Sequence, residues 1–139
     1  LEEIMSVQSI STSASQSTTH PALSLPAALI KLENVAFFVS AAAAFYRLEG
    51  SLLLLLVLFL TPDLSMLGYL INPNAGSKIY NSVHTYTVPI IVAALALLAG
   101  SVIGVQIALI WIMHIAFDRI MGYGLKYATA FKDTHLQRI

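Results

Sequence analysis

His114 and Asp118 stand four residues apart in the run IALIWIMHIAFDRIM. On a helix that spacing puts both side chains on one face, where they can ligate one ion as the two histidines of a helical zinc motif do. The surrounding residues are apolar enough to enter a bilayer, and a polar pair at such depth is a candidate functional site because hydrocarbon penalises both groups. Two further residues extend the set: Asp63, directly after Pro62 in TPDLSM, and His84, three residues after Asn81 in YNSVH. Asp63, His84, His114 and Asp118 are therefore the expected catalytic and metal-ligating residues. Nitrogen and carboxylate donors suit zinc, manganese or iron, and with no cysteine in the chain no thiolate site or iron–sulfur cluster is available. An ion with an open position would activate water for hydrolysis near the membrane surface, with Glu33 or Asp133 as proton acceptor. Asn81 and His135 are expected accessory groups beside them. His84 and His114 as axial ligands of a b-type haem are the less favoured alternative, since two acids in the same pocket fit a hard cation better than a porphyrin.

These residues must be positioned by membrane helices. Of 139 residues, 58% are hydrophobic and 10% charged, with a mean hydropathy of +0.80, which excludes an ordinary soluble domain. A formal net charge of zero gives no electrostatic footprint for nucleic acid. The fold expected is all-α: a four-helix antiparallel transmembrane bundle over residues 26–139, preceded by a disordered Ser/Thr-rich extension over residues 1–25 in which His20 is a solvated loop histidine. The spans are expected at about residues 26–46, 52–71, 79–99 and 105–122, each close to the length that crosses the hydrocarbon, with a tail over 123–139. Pro62 removes a backbone donor inside the second span and frees the carbonyl of Leu58 beside Asp63. NPNAGSK, residues 72–78, reads as a turn, and Gly122 or Gly124 as the stop of the fourth helix.

Four antiparallel spans place the start of the first, the end of the second, the start of the third and the end of the fourth at one face. Those ends carry Glu33 and Asn34, Asp63, Asn81 and His84, and His114 and Asp118, so all should gather in one half of the bilayer. Lys31, Lys78, Lys126, Lys132 and Arg138 lie on that side and only Arg47, offset by Glu49, on the other, which predicts a cytoplasmic polar face and cytoplasmic termini. Lys126, Lys132 and Arg138 are expected to contact anionic lipid headgroups or an anionic substrate group. Tyr69, Tyr80, Tyr86, Tyr123 and Tyr127 would form an aromatic belt or line a pocket there.

Three stretches, TPDLSMLGYL, YNSVHTYTVP and HIAFDRIMGYGLKYATAFKDTHL, resemble a family of small bacterial membrane proteins catalogued as domain of unknown function 4260. The likeness runs from about Leu32 to Arg138 and leaves the Ser-rich start outside it. It implies a four-helix membrane fold in the bacterial inner membrane and assigns no activity. The acid after a proline, with histidines on later helices, is also similar to the pattern of membrane-bound metal-dependent hydrolases. The alternative reading is a non-catalytic accessory subunit of a larger membrane complex or a self-associating protein, with Ala41 to Ala44 allowing close helix contact. A transmembrane ion pathway is disfavoured because the other half of the bilayer offers only Ser40, Ser51, Ser101 and Gln106, and the GYG at Gly122–Gly124 lacks the setting of a potassium filter.

Overall fold

The computed structural model describes residues 24–129 and 131–137; the expectations for residues 1–23, including His20, and for Arg138 lie outside the described residues. The first span is α1 (Leu25–Arg47), started by the Ser24 hydroxyl, which accepts from the Ala27 amide at 3.3 Å, and by Pro26, whose missing N–H costs nothing in a first turn. A four-residue turn, 48–51, reverses the chain into α2 (Leu52–Phe59). Pro62 then ends the regular ladder. The remainder of the second span, Thr61–Leu70, winds as a 3-10 helix, a length that is unusual for this tighter geometry and marks a segment held by its surroundings.

The segment read as a turn, NPNAGSK, is in fact the opening of α3 (Pro73–Val83): the Asn72 side chain caps it by accepting from Ala75 N at 2.8 Å, and Pro73 occupies the first helical position. The third span therefore begins well before residue 79. It breaks at His84–Tyr86 and resumes as α4 (Thr87–Leu98). Pro89 accounts for the break, because its ring excludes the carbonyl of Thr85 and it has no N–H to return to it. The fourth span, α5 (Val102–Met121), starts at the Ser101 cap instead of at residue 105, and stops where Gly122 adopts φ 93°, a left-handed conformation that glycine enters without a Cβ clash.

Four stretches are long and apolar enough to cross a membrane: Leu25–Arg47, Leu52–Leu70, Pro73–Leu98 and Val102–Met121. Their outer faces are consistent with that role, since Leu52, Leu53, Leu56, Val57 and Leu60 are all more than three-fifths exposed, a contiguous apolar surface that water would not tolerate. α5 lies at the centre and touches α1, α2 and α4. Its Ile110 and Met113 bury against Ala41 and Phe45 of α1, with Leu54, Leu58 and Phe59 of α2 packed alongside, so Ala41 serves an internal contact. The 3-10 helix packs on α3 at two glycines: a Cβ added to Gly68 would stand 3.3 Å from the Gly76 Cα. Only small residues allow the two backbones so close.

Candidate metal centre

Each ligand candidate is presented by a different local device. Asp63 sits in the first turn of the 3-10 helix that Pro62 imposes; His84 is the C-cap of α3, at the break that Pro89 imposes; His114 and Asp118 come from one face of the unbroken α5. Three spans thus deliver four side chains to one point. Both histidines are buried, Asp118 is nearly so, and Asp63 is the most open, with its side chain 33% exposed.

The donor atoms face each other. His84 Nε2 and His114 Nε2 are 3.1 Å apart. Asp63 Oδ1 lies 3.6 Å from the first and 3.5 Å from the second, and Asp118 Oδ2 lies 3.5 and 3.7 Å from the same two atoms. One ligand atom from each residue can be chosen so that all lie within 4.8 Å of one another. A tetrahedral ion with bonds of 2.0–2.1 Å separates its ligand atoms by about 3.4 Å, whereas neighbouring ligands of an octahedral ion with similar bonds are about 3.0 Å apart. All five measured separations exceed the octahedral figure, and four of them, at 3.5–3.7 Å, lie near the tetrahedral one.

The supporting contacts orient the donors toward that point. His84 Nδ1 is 3.0 Å from the Tyr80 carbonyl, and because a carbonyl only accepts, Nδ1 carries the proton and Nε2 presents a lone pair to the cluster. The His84 ring stacks on Tyr80 at 3.7 Å, and the Tyr80 hydroxyl donates to Asp118 Oδ2 at 3.2 Å. His114 packs edge-on against Phe59, and its Nδ1 is buried without a partner among the described residues. His114 Nε2 faces His84 Nε2, so both rings direct the same nitrogen to the centre of the cluster. The break beside His84 is closed by Trp111 of α5, whose indole Nε1 donates to the Val83 carbonyl at 2.8 Å, satisfying an acceptor that helix continuation would otherwise occupy.

A cavity of about 530 Å³ opens against the carboxylate side of the cluster, lined by Asp63, Tyr80, Asp118, Lys126, Phe131 and Lys132 among others. The tail covers it. Lys126 pairs with Thr134 in an isolated bridge, Tyr127 N donates to the Asp133 carbonyl at 2.9 Å, and the Asn81 side chain grips the Lys126 backbone from α3, accepting from its N–H at 2.7 Å and donating to its carbonyl at 2.8 Å. The Lys126 side chain, expected to contact anionic headgroups or an anionic substrate group, turns inward among the Tyr69, Tyr80 and Phe131 rings, where it lines the cavity. Burial pushes its ammonium below the ordinary lysine value, while the Asp118 and Asp63 carboxylates oppose that shift. Lys132 remains exposed on the tail.

The expected accessory groups are elsewhere. Glu33 stays exposed on α1, and its neighbour Asn34 is the inward residue, accepting from the Tyr86 hydroxyl at 2.5 Å. Asn81 and His135 hold the tail, the latter accepting from Leu125 N at 2.9 Å, and Asp133 accepts from the Thr129 hydroxyl. Neither Glu33 nor Asp133 lines the cavity. Tyr80 and Trp111, by contrast, were not singled out as site residues. Tyr80 precedes His84 by four residues, the same one-turn spacing that links His114 to Asp118, and that spacing was the available signal.

Four spans long and apolar enough to cross a membrane, three of which bring a His/Asp cluster together, are the features of a small polytopic membrane protein. The chain belongs to the family described as a domain of unknown function, DUF4260, which matches residues 27–139. No curated protein and no solved structure matches it.

Proposed function

We propose that Asp63, His84, His114 and Asp118 form a divalent metal centre and that the protein is a metal-dependent hydrolase acting at the membrane surface. The observation that carries this reading is the convergence of two imidazole nitrogens and two carboxylate oxygens, from three spans, with each of these oxygens 3.5–3.7 Å from both nitrogens and all four atoms within 4.8 Å of one another. Zinc fits that spacing best, with manganese and iron as competitors. The cation would also place a positive charge directly between the two carboxylates, of which Asp118 is the one withdrawn from water. Four protein ligands would close a zinc site, whereas catalytic sites keep a position open. Asp63 is the group suited to leave: it is the most exposed of the four, it borders the cavity, and it stands in the first turn of the 3-10 helix. With His84, His114 and Asp118 as lasting ligands, Asp63 can accept the proton of an activated water, the role first assigned to Glu33 or Asp133.

The test is metal retention. Full-length protein in neutral detergent, stripped and reloaded with zinc, should carry about one ion per chain through gel filtration, and His114→Ala should carry none. His20→Ala should retain the wild-type content. A folded wild type that retains no transition metal ends this reading.

A further inference from the structure

Lys126 is 7% exposed, yet among the described residues no carboxylate oxygen lies within 4.0 Å of its Nζ. Its nearest partners are aromatic faces: Nζ stands 3.3 Å from the Phe131 ring centroid, 4.5 Å from that of Tyr80 and 5.5 Å from that of Tyr69. Ring faces offset part of the cost of withdrawing an ammonium from water, but they do not neutralise it. The side chain is nevertheless placed deliberately, because the Asn81 amide fixes the Lys126 backbone through two hydrogen bonds and the bridge to Thr134 fixes it from the tail. It borders the cavity that Asp63 and Asp118 border from the other side.

The charge count says what the cavity lacks. If the cluster holds a divalent cation, as proposed above, the ion and the two carboxylates together carry no net charge, and the ammonium groups of Lys126 and Lys132 leave the cavity lining with an excess of two positive charges. We infer that the cavity binds a phosphate or phosphomonoester dianion, with Lys126 holding the anionic oxygens beside the metal centre. Two unneutralised cations match a dianion better than a monoanion. A charged group set between a metal and a fixed ammonium is also the arrangement that orients a phosphoryl ester for attack by water. Met66 and Phe117 continue the wall with apolar surface, and an alkyl chain attached to the phosphate would lie along it. Lys126 is a binding residue in this scheme and Asn81 a positioning residue that acts through it.

The experiment uses the full chain in neutral detergent, zinc-loaded, with dodecyl phosphate, dodecyl sulfate and inorganic phosphate as titrants in calorimetry, and with metal content measured on every sample. Wild type should bind dodecyl phosphate at least tenfold more tightly than dodecyl sulfate, which has the same chain and a single charge. Lys126→Met should weaken dodecyl phosphate tenfold or more at unchanged metal content, and Lys126→Arg should recover most of the loss. Inorganic phosphate binding as tightly as dodecyl phosphate identifies a free phosphate ligand; binding of the dodecyl ester alone identifies a lipid. Equal affinity of wild type for the two dodecyl anions overturns the inference, as does a Lys126→Met protein that keeps both its metal and its affinity. Failure of the metal centre reads out separately, as absent zinc in the wild-type sample.

Discussion

At the end of the bundle where residues 48–51 and 99–101 turn the chain, all four spans are regular α-helix and, among the described residues, the side-chain hydrogen bond between helices is one amide, Gln106 Nε2 donating to the Leu48 carbonyl at 2.9 Å. At the other end two of the four spans are interrupted, and each interruption carries a ligand candidate: Asp63 next to Pro62, and His84 five residues before Pro89. Interrupted backbone inside a membrane leaves acceptors without water to satisfy them, so it persists only where protein groups take over. They do so here, with Trp111 on the Val83 carbonyl. The comparison teaches that the proline breaks and the polar cluster are one construction. A regular helix presents residues every 100°, and a bend is what lets a third and a fourth donor turn toward the pair already aligned on α5.

The largest effect expected from breaking this asymmetry is loss of the ion. His114→Ala should reduce retained zinc to background, read by elemental analysis, whereas Asp63→Asn, which alters only the ligand suited to leave, should weaken zinc affinity and leave a bound ion on the three lasting ligands. The same ion should stabilise the fold: at a hundredfold excess over its Kd it contributes about 2.7 kcal/mol. A chelator should therefore lower the melting temperature of the wild type and leave that of His114→Ala unmoved. A chelator-insensitive wild type that nevertheless contains zinc would place the metal somewhere other than among the helices.

Removing a break is the next test. Pro89→Ala restores an N–H that can return to the Thr85 carbonyl, and proline is disfavoured in a helix interior by about 3 kcal/mol relative to alanine, so the variant should straighten the third span and draw His84 out of line. Zinc affinity should fall at least tenfold without loss of helix content by circular dichroism. Unchanged affinity would show that the break and the cluster are independent. Tyr80→Phe probes the same region more gently. It deletes the hydroxyl that donates to Asp118 Oδ2 and keeps the ring that stacks on His84, and losing such an outer contact costs about tenfold in metal affinity.

How much of this was legible beforehand depended on which physical signal each residue carried. The spans were readable from uninterrupted apolar runs, and the gathering of Asp63, His84, His114 and Asp118 at one end followed from chain reversal alone, because polar groups in hydrocarbon must find one another. The opening of α3 was misread because Asn72 and Pro73 serve equally as turn residues and as cap and first helical residue; what decides is whether the next residues pack, and Gly76 meets Gly68 only in three dimensions. The inward course of Lys126 was hidden for a related reason. A lysine after the last span reads as a headgroup contact until the Asn81 amide, forty-five residues earlier, is seen to clamp its backbone. A helix face cannot be chosen from one charged side chain: Glu33 is exposed, and the adjacent Asn34 takes the inward position.

The smallest expected effect lies at the regular end and is informative because it should be small. Gln106→Leu removes the amide that donates to the Leu48 carbonyl. Leu48 is the C-cap of α1, close to where the chain leaves the apolar zone, so its carbonyl can turn to water at the membrane surface, and a single polar contact between membrane helices averages about 0.6 kcal/mol. The variant should lose roughly that much stability in a detergent unfolding titration and keep its full zinc content. The two readouts separate here because Gln106 precedes His114 by eight residues on α5, about 12 Å of rise, and touches neither the breaks nor the cavity. A loss of zinc on Gln106→Leu would mean that the regular end sets the register of α5 against α1, and with it the height of His114 and Asp118 relative to Asp63 and His84. The division between a scaffold end and a site end would then give way to a bundle in which the whole of α5 positions the ligands.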